Sequence, residues 1–399
     1  MSLSNGRSYV AIPGPSVVPD RVLAAMHRAS PNIYAAEQTA QMASVAAQLR
    51  RVAVTRQNVA MYMGNGHAGW EAAAANILSR GDRVLVPVTG HFGSTWARVL
   101  NRMGVATDLI DFGKRSQADA GHIGDALKAD REGRIRAVML THVDTATSIR
   151  NDIAAVRAAM DAAGHDALLV VDAIASLGCD PIRMDDWGID VLIAASQKGL
   201  MTPPGLAFLW FSDRAKGVAK DPDLRTPYWD WGPRADPQED WQYFNGTAAT
   251  HHIFALDEAL KMLLDEEGLE AAWARHELLA RAVWAAFDAW GTGGDIALNV
   301  ARADWRGRSV TAARIGGGGA GRLREWTERQ AGVTLGIGLG MAEPGSAEYG
   351  DFLRVAHMGH VNAHMTLGVL AAMEAGMTAL QVPHGGGALD AAAAVIAAG

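Results

Sequence analysis

The sequence contains almost no cysteine: Cys179 is the only one among its 399 residues. A disulfide framework is therefore excluded, and we expect a protein of a reducing compartment, the cytoplasm. Uncharged apolar runs of about 18 residues, the length that a membrane-spanning helix needs, are also lacking, so no membrane partner is expected. The first residues, Met1 to Tyr9, are polar and lack the apolar core of a signal peptide.

An excess of positive charge is lacking too. Lysine and arginine number 36 against 43 acidic residues, which leaves a net charge of -7 and gives no indication of a nucleic-acid surface. The chain is 49% hydrophobic and 20% charged, which is typical of a globular protein and not of a disordered one. Because 399 residues exceed one ordinary core, we predict an N-terminal arm (1–20), a large domain (21–270) and a small C-terminal domain (271–399).

Apolar strand patterns alternate with helical patterns from about residue 60 to residue 210. This alternation predicts an α/β fold with a mostly parallel sheet that is covered on both faces. Strands and helices recur after about residue 295, which indicates a smaller α+β unit. Between the two, residues 228–244 are rich in aromatic side chains, a composition that favours an interface or a cover over a site.

Two apolar strands in the middle of the chain each end in a polar group. Leu168 to Val171 runs into Asp172, and Val191 to Ala195 runs into Ser196-Gln197-Lys198. Neighbouring strand ends of a parallel sheet face one crevice, where such sheets bind ligands. A lysine beside an acid suits pyridoxal phosphate, because the lysine forms a Schiff base with the aldehyde and the acid keeps the pyridine nitrogen protonated. The alternative is a solvated lysine and a helix-capping aspartate.

Other glycine and histidine patterns carry weaker signals. The turn at Gly64-Asn65-Gly66-His67 precedes a helix whose free amides can attract a phosphate. We place Phe92 in a loop after a strand, where an aromatic ring can lie on a ring ligand. His357, His360 and His364 have a spacing that could ligate zinc, but Gly359 interrupts them and no acid lies near, so we expect no metal.

Several short motifs follow one another over nearly the whole chain: Pro13-Gly14-Pro15-Ser16, Gly66-His67, Thr141-His142, Val171-Asp172-Ala173, Ser196-Gln197-Lys198, Gly338-Leu339-Gly340 and Leu353-Arg354. In kind and order they resemble the motifs of the class V, fold-type I aminotransferases of the alanine, serine or aspartate–glyoxylate type. This resemblance implies a large domain with a mostly parallel sheet, a smaller α+β domain, pyridoxal 5'-phosphate as cofactor and a homodimer.

The resemblance also implies roles for particular residues. Lys198 would carry the cofactor and move a proton, Asp172 would pair with the pyridine nitrogen, and Arg354 would bind the substrate carboxylate. The remaining cofactor-binding residues would be Gly66, His67, Phe92, Thr145, Gln197 and, reaching a neighbouring subunit's phosphate, Thr247.

The implied reaction is transfer of the amino group of a small amino acid (alanine, serine or aspartate) to glyoxylate or a similar 2-oxo acid. Pyridoxamine–pyruvate transaminase is the alternative, although that type uses a second arginine where this chain has Leu339. Aspartate would need a further arginine from elsewhere, for example Arg225 or Arg234.

Overall fold

The computed structural model describes residues 2–218 and 222–399. The predicted arm and large domain therefore each include residues outside the described part, Met1 and residues 219–221. The strands in chain order are β1 (Tyr9–Ala11), β2 (Asn58–Gly64), β3 (Arg83–Val88), β4 (Ala106–Asp111), β5 (Ile135–Thr141), β6 (Val143–Asp144), β7 (Ile149–Arg150), β8 (Leu168–Asp172), β9 (Val191–Ala195), β10 (Gly205–Phe211), β11 (Ile296–Leu298), β12 (Val310–Ile315), β13 (Val333–Ile337) and β14 (Phe352–Ala356).

The α-helices alternate with these strands over most of the chain. They are α1 (Asp20–Met26), α2 (Ala36–Val52), α3 (Gly66–Ile77), α4 (His91–Arg102), α5 (Ala120–Ala129), α6 (Ile153–Ala163), α7 (Asp213–Val218), α8 (Gly232–Ala235), α9 (Thr250–Lys261), α10 (Leu269–Gly291), α11 (Gly319–Trp326), α12 (Ala363–Ala379) and α13 (Ala388–Ala397). Short 3₁₀ segments cover Asp240–Tyr243 and Ala303–Trp305, and π-helical turns follow α9 (Met262–Glu267) and α11 (Thr327–Ala331).

Within the described residues, seven strands form the large sheet in the order β2-β10-β9-β8-β5-β3-β4. Every neighbouring pair from β9 to β4 is parallel, and only β10 runs antiparallel, to both β9 and β2. The predicted α/β fold with a mostly parallel sheet is therefore confirmed.

Alternate residues of the central strands enter two different cores. Leu169 and Val171 pack into one core with α2, α5 and α6, whereas Leu168 and Val170 pack into the other with α3 and α4. Both faces of the sheet are covered, which explains why these strands are apolar throughout.

Five of the described strands form a second sheet, in the order β1-β13-β14-β12-β11, with a core of its own against α10, α12 and α13. The strand β1 lies in the stretch predicted as an N-terminal arm, and it pairs in parallel with β13. Both ends of the chain thus contribute to this sheet. The predicted boundary between residues 270 and 271 falls in the first turn of α10, and the division into domains stays a prediction.

No helix in the described part of the chain is long and apolar enough to cross a membrane.

Candidate active site

One cavity of about 140 Å³ collects most of the predicted site residues. Its lining includes seven of them: Gly66, His67, Phe92, Thr145, Asp172, Gln197 and Lys198. They come from five separate stretches of the chain. The fold therefore brings together residues as far apart in the sequence as Gly66 and Lys198, more than 130 positions.

Asp172 ends β8 and lies inside the protein, with 4% of its surface exposed. Its Oδ1 accepts a hydrogen bond from the amide of Ile174 over 2.8 Å, and its Oδ2 accepts one from the indole of Trp70 over 3.1 Å. Burial raises the pKa of the Asp172 carboxyl to about 7, while those two hydrogen bonds lower it. These two bonds orient the carboxyl, and no cation among the described residues forms an ion pair with it to offset its burial.

Lys198 follows β9, the strand that pairs in parallel with β8. Its amine donates to the carbonyl of Pro13, and its backbone carbonyl accepts from the hydroxyl of Ser16 over 2.8 Å. The N-terminal segment that contains the Pro-Gly-Pro-Ser motif therefore packs directly on the lysine. Burial lowers the pKa of Lys198 to about 8, and nearby Arg354 lowers it further, whereas Asp172 raises it.

The turn before α3 is capped by Asn65, which sequence reasoning did not single out. Its side-chain oxygen accepts from the amides of His67 over 3.1 Å and Ala68 over 3.4 Å. The His67 amide, predicted to bind a phosphate, is thus already bonded within the turn. Gln197 lies across the cavity, and its buried Oε1 has no hydrogen-bond partner among the described residues.

The predicted loop position of Phe92 is wrong, because Phe92 lies in the first turn of α4. The buried carboxylate of Asp144 accepts from the amide of Phe92 over 2.7 Å and from that of Gly93 over 3.4 Å. A carboxylate that bonds free amides at a helix start stabilises that start. Asp144, in the β6–β7 hairpin, therefore stabilises the start of α4. Phe92 still lines the cavity.

Arg354 lies on β14 of the second sheet and is not part of the cavity lining, although it bonds to Thr145, which is. Its Nε donates to the carbonyl of Ile337 over 2.7 Å, and its Nη1 donates to that of Thr145 over 3.0 Å. Its Nη2 has no hydrogen-bond partner in the described structure. The two backbone carbonyls orient the guanidinium, and Nη2 stays available to bond an anion.

Three further predicted residues lie elsewhere. Thr247 is exposed and does not line the cavity of its own chain. Arg234 is buried and donates to the carbonyls of Met61, Tyr228 and Tyr243, so it stabilises the aromatic segment. Arg225 donates to the carbonyl of Asn76, away from the cavity lining.

The aromatic segment 228–244 packs largely against its own chain. Trp231 is buried and stacks on Phe211 of β10 with ring centroids 4.0 Å apart, and Tyr228 lies against Trp229. Trp241 is the exception, because 56% of its surface is exposed.

In the described residues we find no group of three or more histidine, cysteine or acidic side chains that could hold a metal ion. Of the three histidines with zinc-like spacing, His357 uses both ring nitrogens within the protein. They contact the hydroxyl of Thr311 over 2.9 Å and the carbonyl of Arg308 over 2.8 Å.

The residues present fit pyridoxal phosphate. A pyridine nitrogen beside Asp172 would supply the cation that this buried acid lacks, and an aldehyde beside Lys198 would meet an amine of lowered pKa. The orphaned Oε1 of Gln197 marks a further polar position that a ligand can satisfy.

Comparisons with known proteins agree with this geometry. Residues 9–304 match the family model described as Aminotransferase class-V. A serine–glyoxylate aminotransferase of Methylorubrum extorquens is 33% identical over 92% of this chain and 90% of its own. An L-aspartate–glyoxylate aminotransferase of Paracoccus denitrificans is 32% identical over 94% of this chain and 92% of its own.

A solved structure, the pyridoxamine–pyruvate aminotransferase of Mesorhizobium loti, covers 100% of both chains with a TM-score of 0.89 and 27% identity. The predicted family, fold class and cofactor are thereby confirmed. This chain belongs to the aminotransferase class V family and has the fold of the fold-type I transaminases that use pyridoxal phosphate.

Proposed function

We propose that the protein moves the amino group of a small amino acid (alanine, serine or aspartate) to glyoxylate or a similar 2-oxo acid. The observation that carries this proposal is that Lys198 and Asp172 line one cavity, while Arg354 donates a hydrogen bond to Thr145, another residue of the same lining. The relatives named serine–glyoxylate and L-aspartate–glyoxylate aminotransferase support the substrate class.

The bound cofactor supplies an aldehyde and a ring that withdraws electrons from the substrate. Asp172, kept in place by Trp70 and Ile174, would hold the proton on the pyridine nitrogen. Lys198, with a pKa of about 8, would take the proton from the substrate Cα and deliver it to C4′, the aldehyde carbon of the cofactor.

Arg354 would bind the carboxylate of donor and acceptor alike, because both half-reactions use one pocket. Gly66, His67 and Gln197 would contact the cofactor phosphate, Thr145 would lie near its phenolic oxygen, and Phe92 would stack on its ring. All five residues other than Arg354 line the same cavity, which supports these roles.

A homodimer belongs to the same proposal. Thr247 is exposed on its own chain, which suits a residue that contacts the phosphate of a neighbouring subunit. Sedimentation of the active protein should give twice the monomer mass, and full activity in a monomer would contradict the proposal. A cytoplasmic location is proposed from the single, buried cysteine, and cell fractionation tests it.

The test of the reaction is a substrate panel. Alanine, serine and aspartate are each offered with glyoxylate or pyruvate, and pyridoxamine is offered with pyruvate. We expect turnover with glyoxylate, and none from Lys198→Ala under the same conditions. Rapid pyridoxamine turnover without glyoxylate activity would instead favour the second candidate, pyridoxamine–pyruvate transamination. This chain is similar to the Mesorhizobium loti structure that is named for that reaction.

A further inference from the structure

A second cavity, of about 700 Å³, adjoins the cofactor cavity. Its lining includes His91, whereas the next residue, Phe92, lines the cofactor cavity. Arg354 lines neither cavity, but it contacts a residue of each: its Nη1 donates to the carbonyl of Thr145, in the smaller lining, and its Nε donates to that of Ile337, in the larger one. A substrate bound at Arg354 could therefore extend into the second cavity.

Arg324 of α11 lines this second cavity and is half-buried. Its Nε donates to the carbonyl of Leu335 over 3.2 Å, which orients the side chain. Neither Nη1 nor Nη2 forms a hydrogen bond or an ion pair with any residue in the described ranges. Burial lowers the pKa of Arg324, whereas Glu328 and Tyr349 raise it.

Burial lowers the pKa of Arg354 to about 10; Asp144 raises that pKa, and the positive charge of Arg324, which repels that of Arg354, lowers it. An anion that contacts both guanidinium groups would offset the burial of each charge and the repulsion between them. The guanidinium edge formed by Nη1 and Nη2 matches the two oxygens of a carboxylate.

The remaining charges of the second cavity are solvent-exposed. Arg98 donates to the hydroxyl of Thr95 over 2.8 Å and Lys114 to the carbonyl of Met341 over 3.2 Å. The acids in the lining are Asp111 and Glu343. Because solvent screens exposed charges, the half-buried Arg324 is the strongest anchor for an anion here.

We propose that the second cavity binds the distal carboxylate of a dicarboxylic amino donor, with Arg324 as the residue that contacts it. This inference rests on the proposed function and names its donor class: an amino acid of the aspartate type, bound through its α-carboxylate at Arg354. Glyoxylate has no second carboxylate, so Arg324 acts in the donor half-reaction.

The first test compares aspartate with alanine in single-turnover donor reactions of the cofactor-loaded protein. The wild type should prefer aspartate, and Arg324→Gln should lower the aspartate-to-alanine ratio of kcat/KM by about ten- to hundredfold, the value of a hydrogen bond to a charged group. Arg322→Gln, on the same helix but exposed and outside the cavity lining, is the control and should leave the ratio unchanged. A wild type without aspartate preference, or a ratio unaffected in Arg324→Gln, would overturn the inference.

The second test needs no turnover. Succinate and butyrate have the same carbon chain, but only succinate has a second carboxylate. Succinate should bind the wild-type cofactor-loaded protein at least about tenfold more tightly, and Arg324→Gln should abolish the difference. Equal affinities in the wild type would overturn the inference even if the variant does not fold.

Together the two tests separate the inference from the proposed function. Transamination of alanine without any succinate preference would leave the proposed function intact and reject the subsite. A succinate preference that depends on Arg324, in a protein that transaminates no donor, would reject the proposed function and support the subsite.

Discussion

The indole Nε1 of Trp70 donates a hydrogen bond over 3.1 Å to Oδ2 of Asp172, and both residues are buried. Trp70 lies in α3 and stacks on Trp96 of α4 with ring centroids 5.6 Å apart. The stack restrains the indole, and the indole in turn orients the carboxyl that we propose pairs with the cofactor. Trp70 is therefore a positioning residue for Asp172.

We predict that Trp70→Phe weakens cofactor binding by about tenfold or more, because a hydrogen bond to a charged group contributes roughly 1.5–3 kcal/mol. The Trp70 bond lowers the pKa of Asp172, so its loss raises that pKa further. The acid limb of the activity profile should therefore move to higher pH. Titration of the cofactor and a pH–rate profile measure both effects.

Trp96→Phe is the matched control for this prediction. The indole nitrogen of Trp96 is buried without a hydrogen-bond partner in the described structure, so the substitution removes ring volume but no bond. If both variants shift the acid limb equally, the pKa of Asp172 depends on packing around the indoles and not on the hydrogen bond from Trp70.

The second prediction concerns the pH dependence of cofactor attachment. Only the neutral amine attacks an aldehyde, and the pKa of Lys198 is lowered to about 8 by burial. The rate at which cofactor-free protein takes up pyridoxal phosphate should therefore rise with pH up to about 8 and then level off. Stopped-flow absorbance follows the reaction.

An ordinary lysine would let this rate rise further, towards a pH of about 10.4. A continued rise well above pH 8 would therefore contradict the lowered pKa.

Borohydride reduction followed by peptide mapping should label Lys198, and a label on another residue would overturn its assignment.

We predict that Arg354→Ala lowers the second-order rate constants of donor and acceptor together, by about 30-fold or more. Loss of a buried carboxylate contact costs about 2–5 kcal/mol when the partner charge is left unpaired. Cofactor binding should stay near normal, which a fluorescence titration can verify.

Arg306→Ala provides a control of the same kind. Arg306 is also partly buried and donates to two backbone carbonyls, those of Val300 over 2.8 Å and Ala301 over 2.7 Å, but it lies outside both cavities. If Arg354→Ala lowers the rate constant of only one half-reaction, donor and acceptor use different carboxylate sites.

The fourth prediction tests the contact between the N-terminal segment and the lysine. Gly14 has a φ of +101°, and a Cβ added there would lie 2.6 Å from Cε and 2.8 Å from Cδ of Lys198. Gly14→Ala should therefore displace the lysine and slow cofactor attachment. Gly6→Ala is the control, because Gly6 also has a positive φ, +146°, but a Cβ there meets no atom within 4 Å. Equal attachment rates in the two variants would refute the contact's role.

Local sequence patterns predicted the sheet that carries the site. The strands Leu168–Asp172 and Val191–Ala195 match the apolar runs from which they were predicted. Such strands are recognisable because they are buried on both faces and end abruptly in polar residues. The adjacency of Asp172 and Lys198 follows from this pattern and from parallel pairing.

Other features depend on partners that are distant in the sequence. Phe92 is helical because Asp144, 52 residues later, bonds the amides at the start of α4. The segment Tyr9–Ala11 becomes a strand because β13 offers it an edge more than 320 residues away. Neither partner leaves a signal in the local pattern, since periodicity reports only on neighbours along the chain.

The sequence by itself determined the fold class and the family and supplied the candidate site residues, because apolar runs, polar strand ends and ordered motifs are all local. Only the tertiary structure decided that Trp70 holds Asp172, that two carbonyls orient Arg354, and that Arg324 faces the neighbouring cavity. Each of these relationships joins elements that meet through packing, and packing geometry is set by the whole core.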